Sequence, residues 1–259
     1  MKQIESRDNP LFKTLRKWAD AHGRHQSPVL LEGVHVCEAW LQRHGAPHYA
    51  LFSQERLSTP ELAVLRAALD PATVVVMPQR LLSALSELPS DQGVRFVVQP
   101  SSPDLPASLT RTAVLLDRVQ DPGNVGTILR GCAASGVQTV LLSTGCAAAW
   151  APKVVRSAQG AHFALDIHEQ VDLLAVVSQA AVPVIVTTLQ DAQDLYDATL
   201  PAAGLWVFGH EGQGVAPDLQ ASATLRIRID HERPAVESLN VAMAATLCLF
   251  EHRRQLRRG

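Results

Sequence analysis

Five short apolar runs in the second half of the chain restrict its fold more than any other feature. They are rich in valine, isoleucine and leucine, and stretches of helical character separate them. The runs are TAVLLD (112–117), QTVLLS (138–143), VPVIVTT (182–188), LWVF (205–208) and LRIRI (225–229). Because near-continuous apolar strands are typical of parallel sheets covered on both faces, we expect a mostly parallel α/β sheet. A helical segment follows whose part 241–250 is apolar all round, which predicts burial on several sides and favours a subunit interface.

The first hundred residues repeat this alternation on a smaller scale. Asn9 and Pro10 predict the capped start of a first helix. Strand-like runs then alternate with amphipathic segments, at PVLLE (28–32), YALFS (49–53), TVVVM (73–77) and VRFVV (94–98). A proline- and serine-rich stretch separates the two halves. We therefore predict a small α/β domain over 1–100, a linker over 101–111 and a larger α/β domain over 112–259.

Charge is distributed unevenly along the chain. No lysine or arginine occurs between Arg156 and Arg226, whereas eight of the 25 acidic residues fall there. The rest of the chain holds all 23 basic residues against the other 17 acidic ones, although the formal net charge of the whole is only −2. Because association depends on the local field, this balance does not exclude a nucleic-acid partner. A solvated face and an RNA-facing surface explain a group of basic residues near the start of the chain equally well. These residues are Lys13, Arg16, Lys17 and Arg24.

Simple counts exclude other classes of protein. The four cysteines are scattered without a C-x-x-C pair, so neither a zinc site nor a disulfide framework is expected. No secretory signal is visible at the start of the chain. The longest strongly apolar run, 241–250, is far shorter than the roughly 20 residues that span a bilayer. We expect a cytoplasmic protein with no metal and no membrane partner.

The first of three polar motifs is DPGNVGTILR, residues 121–130, directly after the run AVLLD. A turn at Pro122-Gly123 leads into a helix for which Asn124 is the predicted N-cap. The exposed N–H groups and positive end of such a helix suit an anion. Arg130 lies further along the helix, and its planar set of donors suits a phosphate or an oxyanion.

Two further motifs follow later strands of the same sheet. GHEGQG (209–214) has three glycines that let the backbone approach a ligand closely, and Glu211 is its only charged residue. ESLNVAMAA (237–245) runs into the last helix, which Ser238 or Asn240 could cap. Each motif alone is explained by an ordinary turn or cap. Three of them at the carboxyl ends of strands in one sheet indicate a ligand site, because open α/β sheets bind ligands there.

In this order and spacing, the three motifs resemble those of the SpoU (TrmH-like) RNA ribose 2′-O-methyltransferases of the SPOUT class. The resemblance covers roughly 110–259, and PKVVRSAQGAHF (152–163) is similar to the family's segment between motifs one and two. EGVHVCEAWL (32–41) resembles the RNA substrate-binding domain often attached to the catalytic domain. The resemblance implies a deep trefoil knot in the C-terminal domain, which ordinary topology rules would exclude. It also implies a homodimer, formed through that domain, with sites near the subunit interface.

The resemblance further implies the cofactor and the site. S-adenosylmethionine (AdoMet) would be the methyl donor, without a metal. The implied cofactor-binding residues are Gly209, Glu211, Gly212, Ile229 and Leu239. The implied catalytic residues are Arg130, Asn124, Glu211, Ser238 and Asn240, and Arg130 would also contact RNA. The segment IDHERPAVESLN is more charged than in relatives and about one residue longer, so the contacts of 230–237 are left open.

The implied reaction is an in-line attack of a ribose 2′-hydroxyl on the methyl carbon of the sulfonium. Arg130 would act as a base or, since a guanidinium stays protonated, would stabilise a developing alkoxide or hold the adjacent phosphate. The two-domain layout favours large-subunit ribosomal RNA as the substrate. The alternatives are a transfer RNA 2′-O-methyltransferase and a non-catalytic, ribosome-associated RNA-binding relative. A Rossmann-type enzyme would need a glycine fingerprint that the chain lacks.

Overall fold

The computed structural model describes residues 1–23, 27–86, 88, 91–100, 103–232 and 235–258. The chain divides into two compact units. The first is Met1–Ser101 with Trp150–Phe163, and the second is Ser102–Ala149 with Ala164–Gly259. The segment 150–163, which the family motifs flank in sequence, therefore belongs to the same compact unit as the N-terminal residues.

Strands and helices alternate through most of the described chain. The strands are β1 (Lys2–Gln3), β2 (Val29–Glu32), β3 (Tyr49–Ser53), β4 (Val74–Met77), β5 (Val94–Val98), β6 (Ala113–Asp117), β7 (Thr139–Leu142), β8 (Asp166–His168), β9 (Val184–Thr187), β10 (Gln193–Asp194), β11 (Leu205–Gly209) and β12 (Leu225–Arg228). The helices are α1 (Pro10–Ala21), α2 (Val34–His44), α3 (Pro60–Ala67), α4 (Gln79–Ser83), α5 (Pro122–Ser135), α6 (Pro152–Ala158), α7 (Leu173–Ser178), α8 (Pro217–Ala221) and α9 (Val241–Leu256).

The first unit is built on a mixed sheet with the strand order β1-β4-β3-β5-β2. Strand β5 runs antiparallel to both of its neighbours, whereas β1, β4 and β3 run parallel to one another. Helix α1 begins as the sequence predicts. The Asn9 side chain accepts a hydrogen bond from the backbone N–H of Leu11 at 2.9 Å, and Pro10 occupies the first turn. The helix buries Phe12 and Leu15 in the core of this unit.

The second unit, as far as it is described, contains a seven-stranded sheet in the order β10-β12-β9-β11-β6-β7-β8. Every neighbouring pair in this sheet is parallel. The central strands β6 and β11 are buried along their whole length. Since successive residues of a strand point to opposite faces, this burial means that both faces are covered. The predicted parallel α/β sheet is confirmed, and the trefoil knot stays a prediction.

Three of the four edge strands of these sheets were not predicted from the sequence. Strands β1, β8 and β10 are only two or three residues long, which is too short to show a hydrophobic period. The proline- and serine-rich stretch predicted as a linker also contributes to a core. Leu109 within it is 7% exposed and belongs to an apolar cluster with Val177 and Val184.

Within one copy of the chain, helix α9 is buried on one side only, so the expected burial on several sides at a subunit interface stays a prediction. Its inner face buries small and aliphatic side chains, among them Ala245, Cys248 and Leu249. Met243 and Phe250 on the other face are 59% and 45% exposed. Residues spaced by three and four share one side of a helix, so the described chain leaves one apolar face of α9 uncovered. No helix that the structure describes is long and apolar enough to cross a membrane.

Candidate active site

A cleft of about 730 Å³ opens in the second unit at the carboxyl ends of β9, β11 and β12. The ends of these strands and the residues after them form most of its wall, at 187–190, 208–215 and 227–229, and the segment 237–241 that leads into α9 adds to it. Because parallel strands end at the same edge of a sheet, these distant parts of the chain meet there. The volume is typical of a site for a small molecule.

Gly209, the last residue of β11, lines this cleft at a position where the neighbouring backbone leaves no room for a side chain. A Cβ atom at this position would lie 2.2 Å from the carbonyl carbon of Gly214 and from the nitrogen of Val215. The chain folds back at once, because His210 and Gly214 exchange two backbone hydrogen bonds of 3.1 and 2.8 Å. The His210 Nδ1 atom accepts a further bond from the N–H of Gly212 at 2.9 Å. The tight backbone loop therefore requires a glycine at 209, and Gly214 has a φ of 67°, which favours glycine for its backbone conformation.

Side chains from all three motifs form one chain of hydrogen bonds. Asn124 donates from Nδ2 to Glu211 Oε1 at 3.0 Å, and its Oδ1 accepts from Asn240 Nδ2 at 2.9 Å. Glu211 also accepts from the backbone N–H groups of Gln120 and Asp121, at 3.2 and 3.1 Å. Desolvation raises the pKa of the Glu211 carboxyl, but these hydrogen bonds outweigh it and the net pKa is lowered. Glu211 is thus an ionised acceptor that links motif two to the start of α5.

The structure corrects one prediction within motif one. Asn124 is not the N-cap of α5, because Asp121 has that position and its Oδ1 accepts from the backbone N–H of Asn124 at 2.9 Å. The carboxylate of Asp121 is a good cap and leaves the Asn124 amide available for the other motifs. Asn240 does cap α9, since its Oδ1 accepts from the N–H groups of Ala242 and Met243.

Two residues that the sequence analysis did not assign to the site connect β6 to motif two. Asp117 is 4% exposed, and it accepts from the guanidinium of Arg118 at 3.0 and 3.1 Å and from the N–H of Ala216 at 2.7 Å. Arg118 has a φ of 56° and donates to Gln213 Oε1 at 2.9 Å. An acidic residue at the end of the apolar run AVLLD was the signal available in the sequence, because a buried carboxylate needs partners.

The structure brings most of the predicted site residues together. The predicted cofactor-binding residues all line the cleft, namely Gly209, Glu211, Gly212, Ile229 and Leu239. Three predicted catalytic residues line it too, namely Glu211, Ser238 and Asn240. Asn124 contacts two of them, whereas Arg130 is exposed and has no hydrogen-bond or ion-pair partner among the described residues. Six residues of α-helix place Arg130 about 9 Å along the axis from Asn124. The roles of these residues stay predictions.

The predicted basic surface of the first unit is partly neutralised. The residues concerned are Lys13, Arg16 and Lys17, all exposed on α1, and Arg24 lies outside the described residues. Lys13 Nζ lies 3.6 Å from a carboxylate oxygen of Asp8, and Arg16 Nε lies 3.2 Å from one of Asp20. Exposed ion pairs of this kind contribute little to stability, so each basic side chain can exchange its carboxylate partner for a phosphate. Within the described ranges, no group of three or more histidine, cysteine or acidic side chains could hold a metal ion.

Comparison with known proteins adds independent information. Residues 111–250 match the model of the SpoU rRNA Methylase family. The chain is 34% identical to the uncharacterized tRNA/rRNA methyltransferase slr1673 of Synechocystis sp., over 97% of this chain and 93% of that protein. It is 29% identical to the 23S rRNA (guanosine(2553)-2′-O)-methyltransferase RlmP of Bacillus subtilis, over 98% and 100% of the two chains. The crystal structure of the AdoMet-bound rRNA methyltransferase from Sinorhizobium meliloti is similar with a TM-score of 0.81 at 26% identity, and the match covers 98% of both chains.

Proposed function

The chain belongs to the SpoU rRNA methylase family, and we propose on that premise that it transfers the methyl group of AdoMet to a ribose 2′-hydroxyl of RNA. One observation carries the proposal. Motifs two and three line a single cleft, and the side chain of Asn124 in motif one is joined to both by hydrogen bonds to Glu211 and Asn240. A relative that had lost its chemistry would have no need to keep this polar network intact.

The cleft is suited to AdoMet. The glycine loop offers backbone N–H and C=O groups at close range, and Ile229 and Leu239 offer aliphatic surface. This mixture matches a ligand with a planar base, a ribose and an amino-acid tail. When bound, AdoMet supplies an electrophilic methyl group on a sulfonium. Gly209, Glu211, Gly212, Ile229 and Leu239 are the residues that would hold it.

The residues of the chain itself would align the reactants. Asn124 and Glu211 hold motif two against the start of α5, so that the loop and the helix keep one relative geometry. Asn240 fixes the start of α9 to the same network. Alignment of this kind is a large share of catalysis in a displacement reaction. Arg130 stays protonated, and its guanidinium would hold a phosphate or stabilise the alkoxide that develops as the hydroxyl loses its proton.

We propose large-subunit ribosomal RNA as the substrate. The support is the full-length similarity to RlmP, whose name specifies 23S rRNA, together with the attached N-terminal unit. Transfer RNA is the second candidate, because the Synechocystis relative is named for both RNAs.

A strain that lacks this protein tests the proposal when ribose methylation is mapped on its total RNA. We expect the loss of one 2′-O-methyl mark from 23S rRNA and its restoration by the purified protein with AdoMet. A mark lost from a transfer RNA would contradict the substrate but not the reaction. No lost mark, combined with no AdoMet binding in calorimetry, would support the non-catalytic alternative.

We also propose that the exposed apolar face of α9 is covered by a second copy of the chain. The face consists of Met243, Leu247 and Phe250, which are 59%, 38% and 45% exposed. Spacings of four and three residues align these side chains along one side of the helix, as at a helix-packing interface.

The variant Phe250→Glu is expected to convert the protein from a dimer to a monomer in light scattering. A carboxylate at the centre of an apolar interface would lose its hydration without gaining a partner. Val64→Glu is the matched control, because Val64 on α3 is 71% exposed and lies outside this face. A wild-type monomer at micromolar concentration, or a Phe250→Glu dimer as stable as the wild type, would contradict the proposal.

A further inference from the structure

A second cavity, of about 200 Å³, lies within the first unit. It opens between the start of α2, the segment before β5 and helix α6. Its lining residues include Glu32, Val36, Asp91 and Arg156. Its size suits a single planar group better than a whole cofactor, since sites for drug-sized ligands are usually larger than about 300 Å³. We call it the acidic cavity.

The acidic cavity has an excess of buried negative charge. The side chain of Arg95 is 1% exposed, and it lies between two carboxylates. Its Nη2 is 2.8 Å from Asp91 Oδ2, and its Nε is 3.3 Å from Glu32 Oε2. The Glu32 and Asp91 side chains are only 9% and 15% exposed. Two carboxylates share one guanidinium, so the ionised cluster has a net charge of −1.

One oxygen of this cluster lacks a donor. Glu32 Oε2 accepts from the hydroxyl of Ser86 at 2.6 Å, but Oε1 is buried without a hydrogen-bond partner in the described part of the chain. Desolvation raises the pKa of Glu32 above its ordinary value, even though Arg95 lowers it. A buried carboxylate oxygen without a donor costs free energy, and native structures usually satisfy such atoms. Glu32 Oε1 is therefore suited to a ligand with N–H donors, and Arg95 Nη1, which is also buried without an acceptor among the described residues, suits a ligand that carries an acceptor as well.

The rim of the cavity has the opposite charge. Arg156 on α6 is exposed and has no side-chain hydrogen bond or ion pair among the residues that the structure describes. Its guanidinium is suited to a phosphate. An acidic interior with a cationic rim is complementary to a nucleotide whose base carries N–H donors and whose phosphate stays outside.

We propose that the acidic cavity binds one unstacked guanine of the RNA substrate, with Glu32 accepting from its N–H groups and Arg156 contacting a phosphate. This inference rests on the proposed function, because it takes RNA as the substrate. Guanine presents two adjacent N–H donors on its Watson–Crick edge, which match the two oxygens of a carboxylate. Adenine, cytosine and uracil each have only one donor group on that edge, next to an acceptor. Proteins that read RNA sequence do so mostly on such splayed-out bases.

The test compares single-stranded RNA pentamers, AAGAA and AAAAA, binding to the full chain in fluorescence anisotropy. We expect the guanosine pentamer to bind about 10-fold more tightly. Glu32→Gln should remove this preference, because the amide replaces one acceptor with a donor. Arg156→Ala should weaken both pentamers equally, since a phosphate contact carries no sequence information. Glu61→Gln is the matched control, an exposed acid on α3 outside the cavity.

A second variant tests the inference even if Glu32→Gln does not fold. Val36→Trp fills the cavity without changing the acidic cluster and should also remove the guanosine preference, whereas Val64→Trp on the exposed side of α3 should keep it. Equal binding of both pentamers by the wild type, or a preference that survives in folded Glu32→Gln or Val36→Trp, would overturn the inference. AdoMet binding and methyl transfer are measured on the same samples. If AdoMet binding and methyl transfer are normal and the guanosine preference is absent, the result contradicts only the inference about the acidic cavity. If the guanosine preference is present and AdoMet binding and methyl transfer are absent, the result contradicts only the proposed reaction.

Discussion

The variant Arg130→Ala is expected to lower the rate of methyl transfer by about 10²–10³-fold, which corresponds to about 3–4 kcal/mol of transition-state stabilisation. The reason is that Arg130 is an exposed cation on the helix whose first turn joins the motif network, and it has no partner among the described residues. A guanidinium without an internal partner is available for a phosphate or a developing alkoxide of bound RNA. Single-turnover transfer of radiolabelled methyl groups measures the effect.

Binding of AdoMet provides the decisive contrast for this variant. Because Arg130 does not line the cleft, calorimetry should give an AdoMet affinity within about two-fold of the wild type. Arg130→Lys keeps the charge but not the planar pair of donors, and we expect it to recover only a minor part of the rate. Arg66→Ala on α3 is a control outside the second unit. Near-normal turnover in Arg130→Ala would show that Arg130 is not the activating residue.

The variant Gly209→Ala is expected to weaken AdoMet binding by about 10²-fold and to lower the melting temperature. Its Cβ would lie 2.2 Å from two backbone atoms of the returning loop, and no rotamer change can relieve a clash between backbone atoms. The loop of motif two would have to move by an ångström or more, and displacements of that size in a binding site cost about this much in rate or affinity. Overpacking itself destabilises by roughly 1–3 kcal/mol.

A second glycine of the same loop, Gly212, provides a control for the steric effect of an added Cβ atom. A Cβ at Gly212 would meet nothing closer than the His210 ring at 3.7 Å, which is an ordinary contact. Gly212→Ala should therefore keep the thermal stability of the wild type in calorimetry. If Gly209→Ala unfolds at the same temperature as the wild type and binds AdoMet normally, then the close backbone approach at β11 does not shape the site.

The strands were predictable because their signal is local. The runs 205–208 and 225–229 differ by one residue from β11 and β12, since short runs rich in aliphatic residues between turns are a local pattern typical of strands. The start of α1 was predictable for the same reason, because an asparagine and a proline act on neighbouring residues. The two- and three-residue edge strands carry no such pattern, and only their pairing defines them.

Some of the functional assignments could likewise be predicted from the sequence, and others could not. The three motifs mark segments that hydrogen bonds join, and of the two predicted caps of α9, Ser238 or Asn240, the structure has Asn240. Asn124 was misread as a cap because aspartate and asparagine compete for that role within one turn, and local preference alone cannot decide between Asp121 and Asn124. Asp117 and Arg118 were not assigned to the site, because their partners lie almost a hundred residues away in the chain.

The sequence by itself determined the α/β class, the positions of the longer strands and the polar loops that follow them, because these depend on period, composition and short-range caps. The tertiary structure decided which side chains meet. The bonds from Asn124 to Glu211 and Asn240 span 87 and 116 residues of chain, and only the parallel order of the strands brings their ends to one edge. The tertiary structure also leaves Arg130 exposed, outside the hydrogen-bond network of the motifs, and buries Glu32 beside the guanidinium of Arg95. Burial and charge pairing of this kind arise from packing and not from sequence neighbours.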